Sequence, residues 1–468
     1  MDQVAALEAN DIPVETINST TPFPKRRAII EDLLSDHPET RLLYVTPELC
    51  QTENFRQSIM MIHAHKQLNR IVVDEAHCIS EWGHDFRPAY QELSWFKKTL
   101  TNPPPITAVT ATATPRVRRD IVSMLGLDQS TLKTFQSSSA RPNIHYEVRY
   151  LTAFAQNPIE LESSQVKDIL SWLKDIQSRR VALLGSNSAS DPSDNSLNNS
   201  SHPPISGIIY VPLRSVCEKL ASALSASSQN INAVAYHAGL ASEARSQIQA
   251  TWMSREHFPP GPDDDYTSFS IIVATTAFGM GIDNPHVRFV IHWTPPRSFE
   301  GLVQESGRAG RDGRAAISVV YYNPEERSRV IDRITKGCID NIKPKDSLRG
   351  RSDFERRDQK KRSQQARLES FEKVVEYCET TTRCRHEIIK EYSGDLDLES
   401  KVKVEDGATS PCDFACDFCK LGTKTLTIQK KRMHAVSAAH GYDISNDSYG
   451  YGDPSWLGIM SMMFGGNC

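Results

Sequence analysis

Nowhere in the 468 residues is there a G-x-x-x-x-G-K-[ST] stretch. Its absence removes the usual cradle for nucleotide phosphates, in which glycine N–H groups and a lysine surround the anion. No apolar run approaches the ~18 residues a membrane helix needs, and no signal-peptide pattern is visible. The patch Trp456-Leu457-Gly458-Ile459-Met460 is too short to span a bilayer. A basic excess is also missing, because the formal net charge is −4. Any polyanion would have to be met by local patches. Cysteine is sparse, ten residues in all. That count does not suggest a disulfide scaffold and fits a reducing compartment, cytosol or nucleus.

What is present reads as an ordinary globular chain, with 39% hydrophobic and 24% charged residues. The length predicts two to four domains. Short apolar runs alternate with helical stretches from residue 1 to about 141, at Arg41–Val45, Arg70–Val73 and Ile106–Val109. A second set follows at Gly207–Val211, Ala233–Tyr236, Ile271–Ala274, Val287–Ile291 and Ile317–Tyr321. Continuous apolar strands separated by helices predict parallel sheets covered on both faces. The fold class is therefore α/β, with two parallel-sheet lobes. The expected divisions are 1–141, a connector and low-complexity linker over 142–206, 207–340, a basic linker and cysteine module over 341–425, and a disordered tail over 426–468. The basic run Arg356–Arg362 suits either a nuclear import signal or a solvated linker.

In parallel α/β sheets ligands bind beyond the carboxyl ends of the strands. Unusual residues gather there repeatedly. Thr46-Pro47-Glu48, Asp74-Glu75-Ala76-His77 and Thr110-Ala111-Thr112-Ala113-Thr114 follow the first three strands. His237-Ala238-Gly239 and the run Thr275 to Gly281 do so in the second set. Asp74 suits Mg²⁺, a hard cation that prefers carboxylate oxygen. Glu75 suits orienting or deprotonating an attacking water. An isolated Asp-Glu pair is more often a solvated loop, but the preceding buried strand and His77 weigh against that. Arg308 and Arg311, three apart, would share one helical face and could stabilise a transferring phosphoryl group. Glycines at 307, 310 and 313 speak against a plain surface helix. Between Trp82 and Tyr90, aromatics alternate with His and Arg, which suits base stacking and phosphate contact on a single strand; a generic aromatic loop more often packs in the core, but this one directly follows the acidic box. Cys384, with Cys412, Cys416 and Cys419, offers four thiolates for a structural Zn²⁺. The 27 residues between Cys384 and Cys412 leave Cys378 as a competitor for the fourth place.

Together these residues resemble the RecQ family of DNA helicases. The blocks that carry the resemblance are DEAHCISEWGHDFRPAY (74–90), TATAT (110–114), RPNI (141–144), AYHAGL (235–240), VATTAFGMGID (273–283), QESGRAGRDG (304–313) and the cysteine cluster. The resemblance runs from residue 1 to about 420, and the cysteine spacing looks most like the branch that ends soon after its zinc module. The resemblance implies two RecA-like lobes, the first incomplete, with a small helical zinc module. It implies ATP with Mg²⁺ between the lobes, single-stranded and branched DNA across them, and 3′-to-5′ unwinding in nuclear DNA repair, recombination and replication. Catalytic roles fall to Asp74, Glu75, His77, Gln304, Arg308 and Arg311. Nucleotide contacts fall to Asp74, Gly279, Gly281, Asp283, Arg308 and Arg311. His77 and Thr110 to Thr112 would link nucleotide state to DNA. Nucleic-acid contacts are expected at Thr46, Trp82, His84, Phe86, Arg87, Arg214, His237 and Thr275.

The chain departs from the family pattern in several places. Residue 1 aligns past the phosphate loop, so the first-lobe sheet is expected to lack a central strand and to close poorly. Val211-Pro212-Leu213-Arg214, Leu302-Val303 and Tyr392-Ser393-Gly394-Asp395 replace commoner sequences. Two readings follow: a helicase whose phosphate loop lies upstream, or a non-catalytic nucleic-acid-binding scaffold.

Overall fold

The computed structural model describes residues 2–80, 86–112, 114–151, 158–187, 204–253, 269–279, 282–340, 353–395 and 416–439. The first lobe holds four short strands: β1 (Val14–Ile17), β2 (Leu42–Val45), β3 (Ile71–Val73) and β4 (Ile106–Ala108). β1 pairs with β2 and β3 with β4, both parallel, as two separate sheets. Apolar side chains remain in the open on these strands: Val72 is 58% exposed and Leu42 43%. The expected poor closure of this sheet is what the described residues show. The lobe is held by helices instead. Phe55, Ile59 and Ile62 share one face of the helix Glu53–Ala64 and pack with Val73, Ile79, Phe96 and Ile121. β1 was not anticipated. Only Val14 and Ile17 are buried in Val-Glu-Thr-Ile, so neither alternation nor a continuous run marks it.

The second lobe is one six-stranded parallel sheet in the order β5-β10-β9-β6-β8-β7. Its strands are β5 (Ile144–Tyr150), β6 (Ile205–Tyr210), β7 (Ile231–Tyr236), β8 (Phe269–Ala274), β9 (Val287–His292) and β10 (Ala316–Tyr322). β8 is buried at every position, which explains its apolar run from Ile271 to Ala274. The helix Arg214–Ser227 lays Cys217, Leu220, Ala221 and Leu224 on one face of the sheet. β5 enters this sheet well before residue 207, from the segment expected to be a connector. Burial at Ile144, Tyr146 and Val148 alternates with polar residues, as at a sheet edge. The helix Pro158–Asn187 follows it and buries Ile169 and Leu173. The low-complexity stretch after it lies outside the described residues.

The C-terminal module shares a core with lobe two. Phe299 and Leu302 join Phe371, Val374, Tyr377 and Ile389 in one cluster. The helix Asp417–Ala439, kinked at Gly422, buries Leu426 and Met433, so order extends past residue 426 where a tail was expected. Two apolar contacts seven residues apart among lysines give little periodic signal. The module also reaches lobe one. Asp395, 2% exposed, accepts from Gln136 Nε2 at 2.9 Å and from the Ser139 N–H at 2.6 Å. Arg118, on the lobe-one helix Pro115–Met124, donates to the Ser393 carbonyl at 2.7 Å. Gly394 sits at φ +70 between them, and a Cβ there would lie 2.5 Å from Arg118 Nη2. Among the described residues no helix is long and apolar enough to cross a membrane.

Candidate functional site

The acidic turn forms where β3 ends. Glu75 takes φ 48 in the left-handed region, which bulky residues avoid. The chain then tightens into a short 3₁₀ turn, Ala76–Ile79, that carries His77 inward to 3% exposure. His77 Nδ1 lies 3.0 Å from Thr110 Oγ1 and 3.3 Å from Glu75 Oε2. The Thr110 segment is fixed in turn by backbone bonds from Val109 N–H to Val73 O and from Ala76 N–H to Val109 O, both 2.9 Å. The acidic turn and the threonine run are thus stitched into one unit through His77. Asp74 remains exposed at its mouth, and its Oδ1 accepts the Glu75 N–H.

Lobe two supplies the opposite wall of a cleft of about 1600 Å³. Gln304, on the helix Phe299–Ser306, brings Nε2 to 3.5 Å from Glu75 Oε1. Arg308 and Arg311 both line the cleft, but not on a helical face. The helix stops at Ser306, and the glycine-rich stretch continues as turns, with Gly310 at φ +58 and Gly313 at φ +76. Arg308 is 6% exposed and bonds the Gly279 carbonyl. A Cβ on Gly279 would lie 2.7 Å from Arg308 Nη2, which is why a glycine stands there. Arg311 is more open and bonds Ile282 O and Asp283 Oδ1, each at 2.8 Å. The turn is clamped from the RPNI block, to which no role was assigned from sequence. Arg141 Nη2 donates to Gly310 O at 2.7 Å, and Asn143 Nδ2 to Gly310 O and Arg314 O at 2.8 Å. Gly281 lies outside the described residues.

Two carboxylates face two guanidiniums across an open gap. That donor set fits the metal and phosphate ends of a magnesium nucleotide.

The expected nucleic-acid residues fall into two groups. Arg214, His237 and Thr275 sit beyond the carboxyl ends of β6, β7 and β8, where Tyr210, Tyr236 and Ala274 are in register. His237 is 4% exposed, held by Glu218 at 3.0 Å and by the Gly239 N–H at 3.2 Å. In lobe one Thr46 caps the short helix Pro47–Cys50 by accepting from the Leu49 N–H at 3.3 Å. Phe86 and Arg87 are half-buried, and the Arg87 N–H bonds Cys78 O at 2.9 Å. Trp82 and His84 lie outside the described residues.

Of the four cysteines expected to hold zinc, the described residues bring Cys384 and Cys416 together, with His386 beside them. Ligand atoms of Cys384, His386 and Cys416 all lie within 4.8 Å of one another and all three residues are buried. Cys384 Sγ and Cys416 Sγ are 3.8 Å apart. A tetrahedral Zn²⁺ with Zn–S of about 2.3 Å sets its sulfurs about 3.8 Å apart, so the pair fits the ion. His386 Nε2 faces the carbonyls of Arg141 at 3.2 Å and Ile144 at 3.1 Å. Carbonyls only accept, so Nε2 carries the hydrogen and Nδ1 keeps the lone pair a metal needs. Cys419 is exposed and outside the cluster, and Cys412 lies outside the described residues. Cys378 does not join the cluster, and burial pushes its thiol well above the usual range. Beneath the cluster Arg385, fully buried, forms a bidentate pair with Asp417 at 2.8 and 3.0 Å. Asp417 Oδ2 also accepts the Val148 N–H of β5 at 3.0 Å.

Comparison with known proteins agrees with this architecture. Residues 4–121 match the DEAD/DEAH box helicase family, 195–313 the helicase conserved C-terminal domain, and 344–420 the RecQ zinc-binding family. Similar proteins include ATP-dependent DNA helicase Q5 of Mus musculus, 34% identical over 90% of this chain and 36% of the relative. RecQ-like DNA helicase blm-1 of Caenorhabditis elegans is 31% identical over 96% of this chain and 36% of the relative. RecQ-like DNA helicase BLM of Xenopus laevis is 31% identical over 91% and 26%. The chain belongs to the RecQ family of DNA helicases. It spans about a third of the length of Q5 and blm-1.

Proposed function

We propose that these residues form the strand-gripping and coupling core of an ATP-dependent 3′-to-5′ DNA helicase. It would act on single-stranded and branched DNA in repair, recombination and replication in the nucleus. The observation that carries this is the continuous path Thr110–His77–Glu75–Gln304. It joins the threonine run of lobe one to the arginine-bearing segment of lobe two through one cleft. In this reading Asp74 holds the magnesium ion and Glu75 orients water. Arg308 keeps the Gly279 backbone in place. Arg311, the more exposed of the two guanidiniums, exchanges Asp283 for the phosphate end of a nucleotide. A magnesium nucleotide held there would supply the phosphoryl group. Cys384, His386 and Cys416, completed by one further cysteine, hold a structural zinc.

The missing G-x-x-x-x-G-K-[ST] favours a second reading for these 468 residues alone: strand binding without turnover. Two assays separate the readings. Single-stranded DNA binding should weaken steeply with salt, and DNA-stimulated phosphate release should be undetectable. Measurable turnover would sink the second reading. Binding that ignores salt, or fails altogether, would sink both. In a version supplied with a phosphate loop, Arg311→Ala should abolish turnover and spare nucleotide binding. Unchanged turnover there would remove Arg311 from the phosphate site.

A further inference from the structure

Outside the cleft, three arginines converge on the seam between lobe two and the C-terminal helices. Arg297 stands two residues ahead of the helix Phe299–Ser306, Arg333 lies on Pro324–Asp340, and Arg367 on Asp353–Glu379. Packing sets their positions. The Phe299 N–H donates to Ser370 Oγ at 2.9 Å, and Arg367 lies three residues before Ser370 on the same helical face. Val330 and Ile334 enter the same core as Leu368 and Phe371, which brings Arg333 alongside.

The charge there is poorly balanced. Among the described residues neither Arg297 nor Arg367 has a carboxylate partner, and Arg367 Nε is buried without a hydrogen bond. Arg333 has Glu326 at 3.2 Å. Glu300, the acid nearest in sequence to Arg297, is turned inward to Ser370 and Tyr392. Desolvation, then the positive charges of Arg333 and Arg367, pull Arg297 below its ordinary value. A structural arginine normally answers a carbonyl or carboxylate, as Arg308 and Arg385 do here. Here Arg333 alone has a carboxylate, whereas the exposed Arg297 and the buried Nε of Arg367 have none among the described residues. In a chain of net charge −4, such a notch is the kind of local patch that gathers a polyanion.

We propose that this notch binds a phosphate oxyanion, supplied either by the backbone of a nucleic-acid strand or by a free polyphosphate. Guanidinium forks match phosphate oxygens two at a time. None of the three arginines lines the cleft, so the site is separate from the one assigned above.

The test uses the 468-residue chain and an Arg297→Gln/Arg367→Gln double variant. Binding of a labelled single-stranded oligonucleotide is measured across a salt series, and inorganic tripolyphosphate binding by calorimetry. If the strand is the source, the log–log salt slope falls by about 1.4 in the variant, at about 0.7 for each phosphate that is no longer neutralised. If free polyphosphate is the source, that slope is unchanged while tripolyphosphate binding disappears. An Arg→Lys double variant should restore most of either effect, which separates charge from folding damage. The melting temperature of the Gln variant should hold, because among the described residues neither guanidinium has a carboxylate partner to lose. Equal DNA slopes together with equal tripolyphosphate binding overturn the proposal, as does a wild type that binds neither. A wild type that holds tripolyphosphate and no DNA would sink the helicase reading and leave this one standing.

Discussion

Asp417→Asn is the sharpest perturbation the fold offers. Arg385 and Asp417 are 0% and 1% exposed and share two hydrogen bonds at 2.8 and 3.0 Å. Removing the carboxylate charge leaves a guanidinium in the core with no counter-ion. Breaking a buried pair in this way costs about 3–5 kcal/mol. Whole domains are stable by only about 5–15 kcal/mol, so the module should lose about a fifth or more of its margin. The damage should also travel. Asp417 Oδ2 holds the Val148 N–H, and β5 is the edge strand of the lobe-two sheet. Urea unfolding reads the energy, and hydrogen exchange at the Val148 amide reads the edge. Replacing both partners, as Arg385→Met/Asp417→Leu, should recover most of the loss, because the desolvation cost then disappears with the charges. A single variant costing under about 1 kcal/mol, or a double no better than the single, would refute the reasoning.

Other expectations are briefer. Cys416→Ser or His386→Ala should lose bound zinc by elemental analysis, whereas Cys378→Ser should keep it; full retention in the first two would show that other groups hold the ion. Gly310→Ala should cost about 2–3 kcal/mol from left-handed strain and loss of the Asn143 bridge, read by thermal melting, since its Cβ would lie 2.5 Å from Asn143 Nδ2. Burial pushes the Cys50 thiol up to about 12, while an unfolded cysteine ionises near ~8.5. Its contribution to stability is therefore intact below pH ~8.5 and drains away as pH climbs toward the folded value. Alkaline melts of Cys50→Ala should show a shallower decline, and parallel curves would count against it.

Much of the site was legible because its chemistry is written in contiguous blocks. Asp74 to His77 and Thr110 to Thr112 follow strands whose apolar runs announce a parallel sheet, so the carboxyl-end rule placed them together. The pairing of β3 with β4 bears that out. What escaped depends on contacts between distant segments. Arg141 and Asn143 clamp the Gly310 turn across some 170 residues of sequence, and no local periodicity marks such a bond. His386 declared itself only once two backbone carbonyls fixed its tautomer. Arg308 and Arg311 were expected on a helix although Gly307, Gly310 and Gly313 already argued otherwise; at +58 and +76, the φ angles of Gly310 and Gly313 are ones a helix does not hold. β5 was hidden because an edge strand buries one face, and its polar half diluted the apolar signal.

The Ser393–Asp395 tip bears on how the cleft can change width. Lobe one is joined to the rest of the molecule by the covalent run near Gln136 to Asn143. It is joined again by Arg118 reaching the Ser393 carbonyl. A body tethered at one point can turn about any axis through it. Tied at a second, neighbouring point, it keeps only the swing about the line that joins them. Neighbouring ties of this kind limit the axes about which lobe one could turn, and with them the ways in which Glu75 and Gln304 could part. The C-terminal module, which carries Ser393, stands as the frame against which the cleft is held.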